Sequence, residues 1–273
     1  MKNIVVLSLI VLSIFSCRAN EKNFTGSTPA TAAFVRQFLT IPLQDSVDFI
    51  RWQLTLTGSE YSLSANYGIS KPNTNGFLNG GYTATQKGSF SKEKNILVFK
   101  NGNHILKMLE LNDNLLHILT DNNELQVGTA GWSYTLNNIN PVNTTAINIL
   151  GKTSVLKDSM SYQGRTPCKV PGIAPRAECY KMKWWIIFYT DPLTHLPSTY
   201  KLFATNWRKD NKNGSWSISS DTNGRIIYQM NNEDGSAFLR LEKLDEQILV
   251  FRDAAGNLPV GNFDFSYTLN RKM

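Results

Sequence analysis

An internal repeat constrains this chain more than any other feature. Phe24-Thr25-Gly26-Ser27-Thr28-Pro29 returns as Tyr162-Gln163-Gly164-Arg165-Thr166-Pro167, an aromatic residue, a glycine and Thr-Pro in one order. Towards the far ends, Val127-Gly128 followed by Ser133-Tyr134-Thr135-Leu136-Asn137 returns as Val260-Gly261 followed by Ser266-Tyr267-Thr268-Leu269-Asn270. Between these markers, Arg51-Trp52 matches Lys183-Trp184, Tyr61-x-Leu63-x-Ala65 matches Tyr200-x-Leu202-x-Ala204, and Gly88-Ser89-Phe90 matches Gly214-Ser215-Trp216. The acids Glu110, Asp113 and Asp121 are matched with Glu242, Asp245 and Asp253. A period of about 135 residues is far longer than a solenoid repeat, so each copy is expected to be a domain with its own core. The copies run over 24–138 and 162–271, and residues 139–161 read as a linker carrying a short strand at 146–150.

Within each copy the hydrophobic period is two. Ile50, Trp52, Leu54 and Leu56 alternate with polar residues, as do Tyr61, Leu63 and Ala65, and Trp216 and Ile218. That is the pattern of half-buried strands. Turn signals such as Asn75-Gly76, Asn101-Gly102, Asn223-Gly224 and Asp234-Gly235 separate them. One helix is expected, over 31–39. Seven or eight antiparallel strands per copy point to an all-β protein of two tandem small barrels or sandwiches, and barrel closure would remove exposed edges.

The first residues read as an address. Lys2 precedes an apolar run from Ile4 to Phe15, too short for a membrane span of about 20 residues. It ends in Ile14-Phe15-Ser16-Cys17, similar to a bacterial lipobox. Residues 1–16 are therefore expected to be a lipoprotein signal peptide, Cys17 the lipidated residue and 17–23 a short tether. Acyl groups add about 0.8 kcal/mol per buried methylene, and more than one chain gives lasting attachment. The membrane is thus the first expected partner. The charge balance of 28 Lys+Arg against 21 Asp+Glu is dispersed and does not indicate nucleic acid.

Cys168 and Cys179 remain, in an oxidising compartment, without the Cys-x-x-Cys spacing of a redox or metal pair. In the first copy Ala30 and Val47 stand in their places, so both thiols are present in one copy and both absent from the other. A structural disulfide follows, worth about 3 kcal/mol for a loop of this size on the chain-entropy account.

The motif order in each copy looks like the N-terminal domain of the copper-resistance lipoprotein NlpE family: Gly-x-Thr-Pro, a Trp strand, a Tyr strand, Gly-Ser-aromatic and a closing Ser-Tyr-Thr-Leu. That resemblance implies lipocalin-like β-barrels, the cell envelope with the outer membrane as first location, and a role in envelope stress or copper homeostasis through an envelope protein partner. The family's Cys-x-x-Cys is reduced here to Pro167-Cys168-Lys169-Val170-Pro171.

Catalytic signatures are missing. No Gly-x-Ser-x-Gly, His-Glu-x-x-His or phosphate loop is present, and turn capping accounts for the recurring acids, so the expectation is a non-enzymatic protein. For copper the candidate ligands are His104, His117 and Met108, although a methionine on a strand is more often core. Among the six tryptophans, Trp185 must face away from Trp184 on its strand, which makes it the candidate ligand or interface contact, with packing between the domains equally able to place it. The alternative function is carriage of a small apolar ligand or lipid inside a barrel.

Overall fold

The structure, a computed structural model, describes residues 21–174, 178–207 and 210–272. Two closed eight-stranded antiparallel barrels follow one another along the chain. The first consists of β1 (Glu21–Pro29), α1 (Ala33–Phe38), β2 (Phe49–Thr57), β3 (Glu60–Gly68), β4 (Tyr82–Glu93), β5 (Ile96–Asn101), β6 (His104–Asn112), β7 (Leu115–Leu119) and β8 (Thr135–Asn138). The second consists of β9 (Ser159–Thr166), β10 (Met182–Thr190), β11 (Pro197–Ala204), β12 (Lys212–Ser220), β13 (Ile226–Asn231), β14 (Ala237–Lys243), β15 (Ile248–Arg252) and β16 (Thr268–Arg271). Each strand pairs with its neighbours in sequence, β8 returns to β1 through Phe24 and Asn138, and β16 returns to β9 through Asn270 and Gln163. The signal segment and Cys17 lie outside the described residues. No helix among the described residues is long and apolar enough to cross a membrane.

Residues 21–23, expected in the tether, already pair with Thr57, Leu56 and Thr55, because the ladder between β1 and β2 extends N-terminal to Phe24, the first buried apolar residue of the strand. Residues 159–161 likewise belong to β9 rather than to the linker. The segment 146–150 is not a strand but is held like one. Asn148 donates to the Leu111 carbonyl from its backbone (2.7 Å) and to the Glu110 carbonyl from its side chain (2.8 Å), with Ile147 and Ile149 packed alongside.

Both barrel interiors are filled by their own side chains. Tyr61 meets Phe99 edge-on at 5.2 Å in the first; Phe188 sits within 4.8 Å of Trp216 and 5.5 Å of Tyr228 in the second. The repeated motifs turn out to be barrel-closing parts. Trp52 Nε1 donates to Thr28 Oγ1 and Trp184 Nε1 to Thr166 Oγ1, both at 2.9 Å and buried. A Cβ on Gly26 would stand 3.0 Å from the Thr135 carbonyl, and one on Gly164 2.9 Å from that of Thr268. Tyr134 accepts from the Ala32 backbone and Tyr267 donates to the Lys169 carbonyl, so each closing strand ties down the segment after Thr-Pro. Thr28→Val or Thr166→Val is therefore expected to cost about 1–3 kcal/mol by stranding a buried indole N–H, readable as a lower urea midpoint.

The segment after Thr-Pro is where the copies differ most. In the first it forms α1, with Val35 and Phe38 buried and the Phe38 carbonyl accepting from Gln86 and Asn101. In the second it carries the disulfide Cys168–Cys179, with a Cα separation of 5.9 Å.

The barrels meet across a local two-fold axis. Equivalent residues touch one another, Ser133 Oγ to Ser266 Oγ at 2.6 Å and Thr135 Oγ1 to Thr268 Oγ1 at 3.0 Å. The next contacts come in reciprocal pairs: Gly128 N donates to Asn270 Oδ1 (2.7 Å) and Gly261 N to Asn137 Oδ1 (2.8 Å). Self-contact of equivalents with crossed pairs around it is the geometry of an isologous dimer, here within one chain. An apolar cluster flanks it, Leu111, Leu115 and Leu125 beside their counterparts Leu244, Ile248 and Leu258. The same symmetry corrects the matching of acids. Glu110 lies opposite Leu116 and Lys243 opposite Leu249, so Lys243 is the counterpart of Glu110, and the pairing with Glu242 is one residue out of register.

Candidate functional site

The outward faces of the two Trp strands are equivalent in fold and opposite in chemistry. In the first barrel Gln53 pairs with Ser64 and Thr55 with Ser62. At the same places in the second, Trp185 pairs with Phe203 and Ile187 with Lys201. Period two dictates that these residues face out, since Trp184, Ile186 and Leu202 fill the core. Trp185 and Phe203 stack at 4.8 Å and 24°. Lys272 Nζ lies 4.7 Å from the Trp185 ring and Lys201 Nζ 5.3 Å from that of Phe203, distances at which a cation is attracted to a ring face. Trp185 Nε1 donates to Ser161 Oγ at 2.8 Å. These partners all belong to the second barrel, so Trp185 packs on its own domain and not between the two. Further along β10, Tyr189 is, like Trp185, 36% exposed.

This ledge runs into an open cavity of about 500 Å³ beside Tyr189, Lys201, Asn213, Ser215, Asn232 and Glu233. Tyr200 reaches it from the core. Its ring lies against Gly214, where an added Cβ would come within 2.9 Å of the ring and hydroxyl. The corresponding Tyr61 lies against Gly88 in the first barrel and donates to the Lys100 carbonyl at 3.0 Å. The Tyr200 hydroxyl is buried and has no hydrogen-bond partner among the described residues. Leaving such a group unpaired costs about 1–3 kcal/mol. Burial, and after it the charge of Glu233, pushes the phenol up to about 12, so Tyr200 keeps its proton and remains a donor at neutral pH.

The proposed metal ligands are not brought together. Met108 is buried in the first core, opposite Ile118. His117 pairs with Leu109, one position along, and so faces the opposite side, where it is fully buried at the inter-barrel contact. Its Nε2 donates to the Gln126 carbonyl (3.0 Å), which leaves Nδ1 to accept from Thr135 Oγ1 (2.9 Å). Burial lowers its pKa to about 4. His104 is exposed at the start of β6, about 13 Å along the strand from Met108 at 3.3 Å per residue. Among the described residues no three His, Cys, Asp or Glu side chains are grouped to hold a metal ion.

A second polar cluster lies on the outer face of the second barrel. Arg225 Nε donates to Asp221 Oδ2 at 2.6 Å and its Nη1 to the linker carbonyl of Thr145 at 3.0 Å, while Arg252 holds the Gly256 carbonyl at 2.8 Å. Glu242, 1% exposed, meets Arg252 Nε at 3.4 Å without hydrogen-bond geometry. Burial outweighs the arginines and raises its carboxyl to about 7.

Sequence reasoning reached Trp185 but missed Phe203, Lys201, Tyr189 and Tyr200. Comparing the copies at outward positions alone, Gln53 with Trp185 and Ser64 with Phe203, is the signal that would have found the first two. Comparison with known proteins returns no matching family model, curated protein or solved structure.

Proposed function

We propose that this chain is a lipid-anchored protein of the bacterial cell envelope that acts by binding rather than by catalysis, with the outer face of β10 and β11 as its recognition surface. The observation that carries the surface is the divergence of two equivalent faces. Folding is satisfied by Gln53, Thr55, Ser62 and Ser64 in one barrel, so it does not require Trp185, Ile187, Lys201 and Phe203 in the other. Exposed apolar patches of this kind mark interaction sites more often than they serve stability.

The anchor is supported by the apolar run 4–15 ending at Ser16-Cys17. Because β1 begins at Glu21, acyl groups on Cys17 would hold the first barrel near the lipid surface. Outer-membrane residence and a part in envelope stress or copper homeostasis through a protein partner follow the likeness to the NlpE family. The separation of His104, His117 and Met108 gives copper no further support. Carriage of an apolar ligand inside a barrel gains none either, since both interiors are occupied by side chains.

Two measurements test this reading. Cys17→Ala is expected to abolish tritiated-palmitate labelling and to move the protein from the membrane pellet to the soluble fraction. A wild-type chain that is unlabelled and soluble removes the anchor. A photo-crosslinking p-benzoylphenylalanine replacing Phe203 is expected to trap a discrete envelope component that the same probe replacing Ser64 does not. Identical patterns at both positions remove the recognition face.

A further inference from the structure

We infer that the cavity beside Gly214, with the aromatic ledge that borders it, is a glycan-binding site that seats a pyranose residue. The inference rests on the recognition face proposed above and names what that face takes.

Four observations converge on a sugar. The cavity walls carry short hydroxyl and amide side chains, Thr199, Ser215, Asn213 and Asn232, which offer donors and acceptors side by side. Vicinal hydroxyl groups need that alternation, and an apolar ligand would leave it unsatisfied. One cation, Lys201, and one anion, Glu233, leave the lining close to neutral, which disfavours a phosphate or an acidic headgroup. The aromatic surface lies on one side only: Tyr189 on the cavity wall, with the stacked Trp185 and Phe203 next along the sheet. A pyranose has one apolar C–H face and a polar rim, and this arrangement matches both. Lastly, the Tyr200 hydroxyl is a buried donor with no partner, whereas its counterpart Tyr61 is bonded. The Asn231 carbonyl stands over Gly214, 2.0 Å from where a Cβ would sit, and a ligand hydroxyl that displaced it on entering from the cavity would complete the donor.

In this arrangement Tyr189 stacks on the first sugar, Tyr200 donates to one of its hydroxyls, and Trp185 with Phe203, about 13 Å along β10 at 3.3 Å per residue, supports a residue further along the glycan. The contact with Lys201 would add a charge-assisted hydrogen bond.

The full-length protein in detergent would be titrated with chitohexaose, maltohexaose, laminarihexaose and mannohexaose, following tryptophan fluorescence and calorimetric heat. At least one is expected to bind saturably, Tyr189→Ala to weaken it tenfold or more, and Tyr200→Phe to weaken it about three- to tenfold. Tyr200→Phe also controls for folding, because removing an unpaired hydroxyl should leave thermal stability unchanged or raised. Absence of saturable binding to all four, or binding indifferent to both substitutions, overturns the inference. If the crosslinker replacing Phe203 still traps a component while no oligosaccharide binds, the sugar is wrong and the face stands; if both experiments are negative, both readings fall.

Discussion

Glu242→Gln is expected to stabilise the folded protein by about 3 kcal/mol at pH 8 and to change nothing below about pH 4.5. Burial raises the Glu242 carboxyl from 4.5 to about 7, so the folded chain binds this proton more tightly than the unfolded chain does. A raised folded pKa contributes stability that is fully present below 4.5 and lost as pH climbs through 7. Each pKa unit corresponds to about 1.4 kcal/mol, which sets the size. Glutamine keeps the neutral form at every pH and so avoids the loss. The attraction of Arg252 and Arg225 is already contained in the net shift, and Arg252 retains Asp221 and the Gly256 carbonyl. Urea unfolding of both proteins from pH 4.5 to 8 checks this, and a constant difference across the range would refute it.

His117→Val is expected to act in the opposite sense. The imidazole titrates near 6.5 when unfolded and about 4 when folded, so its contribution is complete above pH 6.5 and falls away, by about 3 kcal/mol, as pH drops through 4. Its geometry explains the cost. Nδ1 accepts from Thr135, whose single hydroxyl proton is then committed, so Thr268 must donate across the interface to Thr135. Protonating Nδ1 forces that chain of donors to reverse at the contact between the barrels. Valine is the residue at the equivalent position of the second copy, Val250, so its volume suits the site. The variant should lose about 1–3 kcal/mol at pH 7.5 from the unpaired Thr135 and Gln126 groups, yet show no acid loss of its own. An NMR titration placing the folded His117 near 6.5 would remove the basis of this expectation.

Between pH 4.5 and 6.5 the two contributions oppose each other. The wild type should therefore be nearly indifferent to pH there, Glu242→Gln should expose the His117 loss on acidification, and His117→Val should expose the Glu242 gain.

Much of the barrel was legible because its parts are local or repeated. Alternation in β2 and β12 followed from Trp52 and Trp216 with their neighbours, and Gly-x-Thr-Pro marked the start of each copy, where the structure shows Thr28 accepting from Trp52. The candidate site was legible only in part. Trp185 announced itself as a large aromatic residue out of phase with the core, but Tyr200 reads as an ordinary inward tyrosine. Its hydroxyl lacks a partner although the Asn231 carbonyl, equivalent to the Lys100 carbonyl that Tyr61 finds, lies beside Gly214, and that difference of geometry is invisible in the residue types. His117 and Met108 are near in sequence and face opposite sides of the sheet, which no list of ligand types conveys.

The sequence by itself determined the duplication, the strand period and the pairing of Cys168 with Cys179, since each depends on residue type at short or repeated spacing. Tertiary structure decided the rest. The two-fold contact of Ser133 with Ser266, the register that makes Lys243 the counterpart of Glu110, and the burial that moves Glu242 and His117 in opposite directions arise from long-range packing. Desolvation depends on which groups the fold packs around a side chain: Arg225, next to β13, and Arg252 of β15 beside Glu242, and Thr135, itself bonded to Thr268 of the other barrel, beside His117.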